Sequence, residues 1–461
     1  MKRFIAILLV ACSLLSLVSC DLFKKTPILN GVKISEYTIV YDAEGLDYNK
    51  RAAEYIRDTV LERSDIELKI VDDSAPEGEC EIVVGETSRA ISKELDEPTN
   101  GFEFSMLVRG NKIALEADYF IIAAAAYYFV TTYTLEPGYV GDIPEGVSIL
   151  EPIVKEADNL IMLIGDGMGV YQTELFDHLD DVSDYSDKED LFYGYLFPYK
   201  GYSRTASLSG VTDSAAGGTA LASGYKTYND YVGLDRNGNE IKSLTELAAE
   251  LGKATAVMST ETNTGATPST FSSHTLSRDN SLEIAEDQAA LYKQYGTVID
   301  CGYDYYNARY MGVIEKHITD TLAKLDADTD GFFIMYEEAH IDKKSHKNDM
   351  EGTFLALIRF NQAIARFMEY AFYHPNTAVL ITADHETGGL RPGDDGKLAY
   401  STENHTLDDV PVFAWGIGLN HLDGATVENV DIAKAFAAIM GEDSFGDPSN
   451  AWYDEIYGTA N

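Results

Sequence analysis

The feature that most constrains this chain is a set of unbroken apolar runs that stop at carboxylates and imidazoles. Leu160–Ile164 runs into Gly165-Asp166-Gly167-Met168-Gly169, and Phe332–Tyr336 runs into Glu337, then Asp342 and His346. Ala378–Thr382 runs into Asp384-His385-Glu386, Ala254–Met258 is a further run, and Val410–Trp415 is preceded by Glu403-Asn404-His405. Helical stretches such as Ser243–Leu251 and Phe354–Tyr370 lie between them. Continuous apolar strands separated by helices predict an α/β fold, a doubly wound, mostly parallel sheet covered on both faces. Ligands of such sheets bind beyond the carboxyl ends of the strands. Acidic and imidazole side chains gathered at one sheet edge point to metal: His with carboxylate suits Zn²⁺, an all-oxygen set Mg²⁺.

Each piece alone has a plainer reading. Asp-Gly is usually a turn, Asp384-His385 a core pair or cap, and Asp342 with His346 a surface pair on a helix. Their common position at strand ends is what favours a site. The segment Val211-Thr212-Asp213-Ser214-Ala215-Ala216-Gly217-Gly218 reads as a tightly packed helix start. Ser214 there is a candidate nucleophile at a helix N-terminus, or else Ser214 or Asp213 is merely the N-cap. Thr264-Gly265-Ala266-Thr267-Pro268 leads to His274 and Arg278. Arginine is the planar fork for phosphate oxygens, although Arg278 by itself reads as a solvated helix residue.

The other 150 or so residues look different. Residues 1–19 have a basic n-region (Lys2, Arg3) and an apolar h-region, the pattern of a secretory signal peptide. Leu17-Val18-Ser19-Cys20 resembles a bacterial lipobox, which implies cleavage before Cys20, lipidation of its thiol, and export to a lipid-anchored place on the cell envelope. Residues 20–28 read as a tether, and 29–150 as a small α+β domain. Its expected strands are Glu36–Tyr41, Ile66–Val71, Glu81–Val84, Phe102–Val108 and Lys112–Glu116, its helices Asp47–Glu62 and Tyr119–Thr134. Arg109-Gly110-Asn111 signals a hairpin. This unit weakly resembles the accessory domain of some bacterial glycoside hydrolases, and reads as a structural or docking module. The catalytic domain is expected over 155–461. A formal net charge of −41 argues against nucleic acid as a stable partner. With Cys12 in the signal and Cys20 the anchor, Cys80 and Cys301 are too few for a disulfide framework.

Taken together, Gly165-Asp166-Gly167-Met168-Gly169, Thr212-Asp213-Ser214-Ala215, Ala266-Thr267-Pro268, Glu337 with Ile341-Asp342 and His346, Thr382-Ala383-Asp384-His385-Glu386-Thr387-Gly388-Gly389, and His405-Thr406 resemble the alkaline phosphatases in content and order. The resemblance covers about 155–440. It implies hydrolysis of small phosphate monoesters through a phosphoserine at Ser214, with Arg278 clamping the phosphate. It implies one zinc held by Asp342, His346 and His405, and a second by Asp166, Asp384 and His385. Asp166, Thr267 and Glu337 would hold a magnesium. Lys343 falls where some bacterial members keep a lysine that reaches the phosphate through water. Gly265 departs from the Asp or His common there, which bears on the magnesium. Glu338 and His340 depart too, and Glu338 is expected near the substrate cleft. Monomer and the homodimer common in the family both stay open. The alternatives are a phosphodiesterase of the same superfamily and a non-catalytic surface binder of phosphorylated glycans. A sulfatase fits poorly, because Ser214 is followed by Ala-Ala-Gly-Gly.

Overall fold

The computed structural model describes residues 25–43, 47–95, 101–153, 157–178, 191–301, 311–449 and 452–457. The expected signal peptide and Cys20 lie outside the described residues. The chain divides into two compact units, one ending at Pro152 and the other beginning at Ile153.

Beside a small three-stranded sheet of Ile28–Leu29, Val32–Lys33 and Val140–Gly141, the first unit is built on a six-stranded mixed sheet. Its strands are β1 (Thr38–Tyr41), β2 (Lys69–Asp72), β3 (Glu81–Val84), β4 (Phe104–Arg109), β5 (Lys112–Glu116) and β6 (Gly146–Leu150), in the order β2-β1-β3-β5-β4-β6. Strands β2, β1, β3 and β5 run parallel, and β4 pairs antiparallel with both β5 and β6. Helices α1 (Asp47–Ser64) and α2 (Ile122–Thr132) pack on each other and on this sheet. The hairpin forms where Gly110-Asn111 stands between Arg109 and its partner Lys112. The strand expected from Glu36 begins only at Thr38, because Ile34–Glu36 is a 3₁₀ turn. Likewise, the helix expected from Tyr119 opens with a 3₁₀ turn, Tyr119–Ile121.

The second unit carries an eight-stranded sheet. In chain order its strands are β7 (Asn159–Gly165), β8 (Tyr199–Arg204), β9 (Ala254–Ser259), β10 (Val298–Cys301), β11 (Phe332–Glu338), β12 (Thr377–Thr382), β13 (Val410–Trp415) and β14 (Thr426–Glu428). The spatial order is β10-β9-β11-β7-β12-β13-β8-β14. The first five are parallel, and β13 is antiparallel to β12 and β8. Every residue of β7, β11 and β12 is buried, which is why these strands read as unbroken apolar runs.

Helices α3 (Ser214–Ser223), α4 (Leu244–Glu250) and α5 (Asn429–Ile439) cover one face of that sheet. Leu221, Leu244, Leu247, Ile432 and Phe436 join Leu160, Met162, Ile164, Phe333 and Leu380 in one core. Each such buried side chain contributes about 1.5–3 kcal/mol of transfer free energy. The 24-residue helix Met350–Tyr373 also packs on β7, β11 and β12. No helix among the described residues is long and apolar enough to cross a membrane. Cys80 and Cys301 are both free thiols.

Candidate metal centre

The carboxyl ends of β7, β11 and β12 lie side by side, so the residues that follow them meet. Asp166 follows β7, Glu337 is the penultimate residue of β11, and Asp384 stands two residues beyond β12. Because β13 is antiparallel, its starting end lies at the same edge. That is how His405, upstream of the strand, reaches a site built from strand ends. His340–Ser345 forms a short helix, and the His346 N–H bonds to the Asp342 carbonyl at 2.8 Å, placing both side chains on one face. Gly167, at φ +74°, lets Asp342 approach: a Cβ there would sit 2.8 Å from Asp342 Cα.

Asp213 is the N-cap of α3, accepting from the Ala216 N–H at 2.9 Å, and Ser214 is the first helical residue. This settles the serine: it is not the cap, and its hydroxyl is left for other work. Ser214 Oγ lies 3.2 Å from His385 Nε2 in a buried setting. The small residues behind it let the helix press on the site, since a Cβ at Gly217 would meet the Asp384 carbonyl at 2.7 Å. Arg278 stands in a loop rather than on a helix, and its guanidinium is held by Asp213 Oδ2 at 3.3 Å. It is close enough to Asp166 and His385 to act on both electrostatically.

The imidazoles are oriented from behind. His346 Nδ1 bonds to the Glu403 carbonyl and His405 Nδ1 to the Thr212 carbonyl, at 2.5 and 2.8 Å. Those bonds spend the N–H groups and leave both Nε2 lone pairs facing inward, only 3.0 Å apart. Asp342 Oδ1 joins them at 3.3 and 3.5 Å. Three electron-rich atoms converging this closely could hold a cation between them. A second convergence joins Asp166, Asp342 and His385, whose donor atoms all lie within 4.8 Å of one another. His385 Nε2 is 3.5 Å from Asp166 Oδ1 and 3.3 Å from Asp384 Oδ2. Asp342 thus stands within reach of both groups, a sharing that spacing along the chain did not announce.

Buried polar atoms without partners mark the same place: Asp166 Oδ1, Asp384 Oδ2 and Thr267 Oγ1. An unpartnered buried carboxylate oxygen is costly unless a cation satisfies it. Burial raises the pKa values of Asp166, Glu337 and Asp384, and neighbouring carboxylates add to the shift. Burial also works against ionisation of Asp342, but the imidazoles of His405, His385 and His346 and the Thr387 hydroxyl outweigh it and hold that carboxyl down at about 2. The donor set therefore fits divalent ions, with nitrogen donors at His346, His405 and His385 beside carboxylate oxygens of Asp342 and Asp384, and oxygen donors alone at Asp166, Thr267 and Glu337.

Two residues that sequence reasoning left without a role complete the site. Thr387 Oγ1 donates to Asp342 Oδ1 at 2.6 Å and lies 3.2 Å from His385 Nδ1. Glu386 accepts from Gln172 Nε2, from the Gly389 and Leu390 N–H groups and from Thr406 Oγ1, tying the segment after β12 to the one that carries His405. The expectation that Glu338 borders the cleft is corrected. Glu338 is fully buried, pairs with Arg359 at 3.1 Å and accepts from the His340 N–H, because alternate residues of β11 face opposite sides of the sheet.

Fold and site together define a doubly wound α/β protein with a serine at a helix N-terminus facing a cluster of buried carboxylates, one buried imidazole and two partly exposed ones. Residues 157–302 and 313–401 match the family described as alkaline phosphatase, more than half of the chain. The chain belongs to the alkaline phosphatase family. It is 33% identical to alkaline phosphatase 3 of Bacillus subtilis over 303 residues, 54% of this chain and 65% of that relative. Alkaline phosphatase 4 of the same organism is 29% identical over 301 residues, with the same coverage of both. The chain thus spans about two-thirds of the length of these curated relatives. Among solved structures, the alkaline phosphatase of the Antarctic bacterium TAB5 superposes with a TM-score of 0.54 at 26% identity, covering 62% of this chain and 99% of that one. A mutant of that enzyme, described with Mg bound in its M3 site, gives 0.55 at 26% identity, covering 64% of this chain and all of that one.

Proposed function

We propose that this chain hydrolyses phosphate monoesters in two displacements through a phosphoserine at Ser214. The observation that carries the reading is the Ser214 hydroxyl, 3.2 Å from His385 Nε2 and beside carboxylate oxygens that have no partner. Asp342, His346 and His405 would hold one zinc, Asp166, Asp384 and His385 a second, and Asp166, Thr267 and Glu337 a magnesium. When bound, such ions supply Lewis acidity toward the attacking and leaving oxygens and neutralise carboxylates.

The chain's own groups do the rest. The first turn of α3 presents the Ser214 oxygen at the positive end of the helix dipole, where negative charge is favoured. Ser214 Oγ, its proton given up to solvent, forms a bond to phosphorus as the ester P–O bond breaks; the leaving oxygen takes the electron pair and a proton from solvent and departs as the alcohol. Arg278, steadied by Asp213, offers N–H donors to the phosphoryl oxygens while charge on them grows. Water then breaks the Ser214 O–P bond, returning the serine hydroxyl and releasing inorganic phosphate.

The test is hydrolysis of nitrophenyl phosphate at about pH 8–9 by protein reconstituted with zinc and magnesium. Ser214→Ala and chelation should each lower the rate by roughly 10²-fold or more. Full activity in Ser214→Ala would overturn the serine route. Stable phosphate binding with no turnover would favour a binding protein instead.

A further inference from the structure

Gly265 precedes Ala266-Thr267 at φ −60°, ψ 155°, a backbone conformation open to any residue. Its lack of a side chain is therefore about space. A Cβ built there would lie 2.4 Å from Glu261 Cγ and 3.1 Å from the Thr262 carbonyl oxygen. The Glu261 side chain occupies the volume that any larger residue at 265 would claim, so the two exclude each other.

Glu261 is held in that place from both ends. Its N–H donates to Ser259 Oγ at 2.8 Å, and that hydroxyl donates in turn to Glu337 Oε2. Its own Oε1 accepts from the Thr262 N–H at 2.9 Å. The other carboxylate oxygen, Oε2, pairs with the ammonium group of Lys343, the residue that follows Asp342. Lys343 is 42% exposed on a flexible four-carbon stem, so without an anchor its charge would spread into solvent. We propose that Glu261 is a positioning residue for this site: its carboxylate, seated in the space that Gly265 leaves open, fixes the Lys343 ammonium at the rim, where it attracts the oxygens of a bound phosphoryl group or of product phosphate. The inference rests on the proposed function and assigns the pair to ligand binding rather than to bond breaking.

The experiment uses the full, metal-loaded chain and inorganic phosphate. Phosphate affinity is measured by calorimetry and as competitive inhibition of nitrophenyl phosphate hydrolysis, with melting temperature and bound metal as controls. Glu261→Ala and Gly265→Ala should each weaken phosphate binding by about 3- to 10-fold with metal content unchanged. Together they should be no worse than the worse single variant, since both break one contact. Glu261→Ala should have no further effect in a Lys343→Ala background. Gly265→Asp should restore binding in the Glu261→Ala protein by returning a carboxylate to the same space. Tighter phosphate binding in Glu261→Ala, additive losses, or an effect that persists without Lys343 would each overturn the proposal. If the wild-type protein hydrolyses nothing, the proposed function fails by itself, and calorimetry still decides whether Glu261 and Lys343 act as one unit on phosphate.

Discussion

Thr387 shows how one hydroxyl can fix two candidate metal ligands, Asp342 and His385. It has a single proton, which goes to Asp342 Oδ1, so toward His385 Nδ1 it can only accept. That assigns the His385 proton to Nδ1 and leaves Nε2 as the lone-pair nitrogen facing Ser214 and Asp166. Thr387→Val keeps the shape and removes the hydroxyl. We expect metal affinity and kcat/KM to fall about 10- to 100-fold, the range for lost support behind a metal ligand. Thr387→Ser should stay within a few-fold of wild type. Metal titration with nitrophenyl phosphate kinetics checks this, and a Val variant as active as wild type would remove Thr387 from the site. The residues that end apolar runs, Asp166, Glu337 and Asp384, were legible because a buried strand exposes its chemistry only at its end. Thr387 and Glu386 were not, because their importance lies in hydrogen bonds to residues as distant in sequence as Asp342 and Gln172.

At the scale of elements, five of the eight strands of the second unit's main sheet were readable from apolar continuity, and their ends shifted by only a residue or two. Phe332–Tyr336, for instance, became Phe332–Glu338 because the sheet buries the two glutamates as well. The antiparallel strand Tyr199–Arg204 was not readable, since its sequence alternates Gly, Ser and exposed polar residues. Helix α4 was expected over Ser243–Leu251 and is trimmed at its start by a capping box in which Ser243 and Glu246 satisfy each other. Glu246 also binds His274 Nε2 at 3.0 Å, while His274 Nδ1 bonds to the Gly233 carbonyl at 2.9 Å. Burial opposes protonation of His274, but Glu246 outweighs it and raises its pKa from 6.5 to about 9. The folded state thus binds this proton more tightly than the unfolded chain. The resulting stability is fully present below pH 6.5 and lost as pH rises through about 9. It amounts to about 3 kcal/mol at most. Thermal unfolding of wild type and His274→Gln should therefore differ clearly at pH 6 and converge near pH 10. A gap that widens with pH would show that the pair is not what holds α4 to the loop leading to Arg278.

For the molecule as a whole, the difficulty is negative charge. The chain carries a formal net charge of −41, and self-repulsion on that scale weakens any compact state. The second unit then concentrates Asp166, Glu337 and Asp384 out of water at one sheet edge. Without metal, burial and mutual repulsion raise all three, with Glu337 and Asp384 reaching about 7. For acids raised in the folded state, the native protein holds protons that the unfolded chain has released. Stability of the metal-free protein should therefore fall as pH climbs from about 4 through about 7, as each carboxylate is forced to ionise beside its neighbours. Divalent ions reverse that sign, because they favour the ionised carboxylates and compete with protons for them. They also stabilise by mass action, since they bind the native state in preference to the unfolded one. The gap in melting temperature between zinc- and magnesium-loaded protein and chelated protein should accordingly widen from pH 5 to pH 8. Sodium chloride at high concentration should raise the melting temperature of the chelated protein by screening surface repulsion. It should leave the pH-dependent part of the gap in place, because the three carboxylates are buried beyond its reach. Scanning calorimetry at matched ionic strength reads both effects. A gap that is constant with pH, or that high salt closes, would place the charge problem on the surface and not in the metal centre.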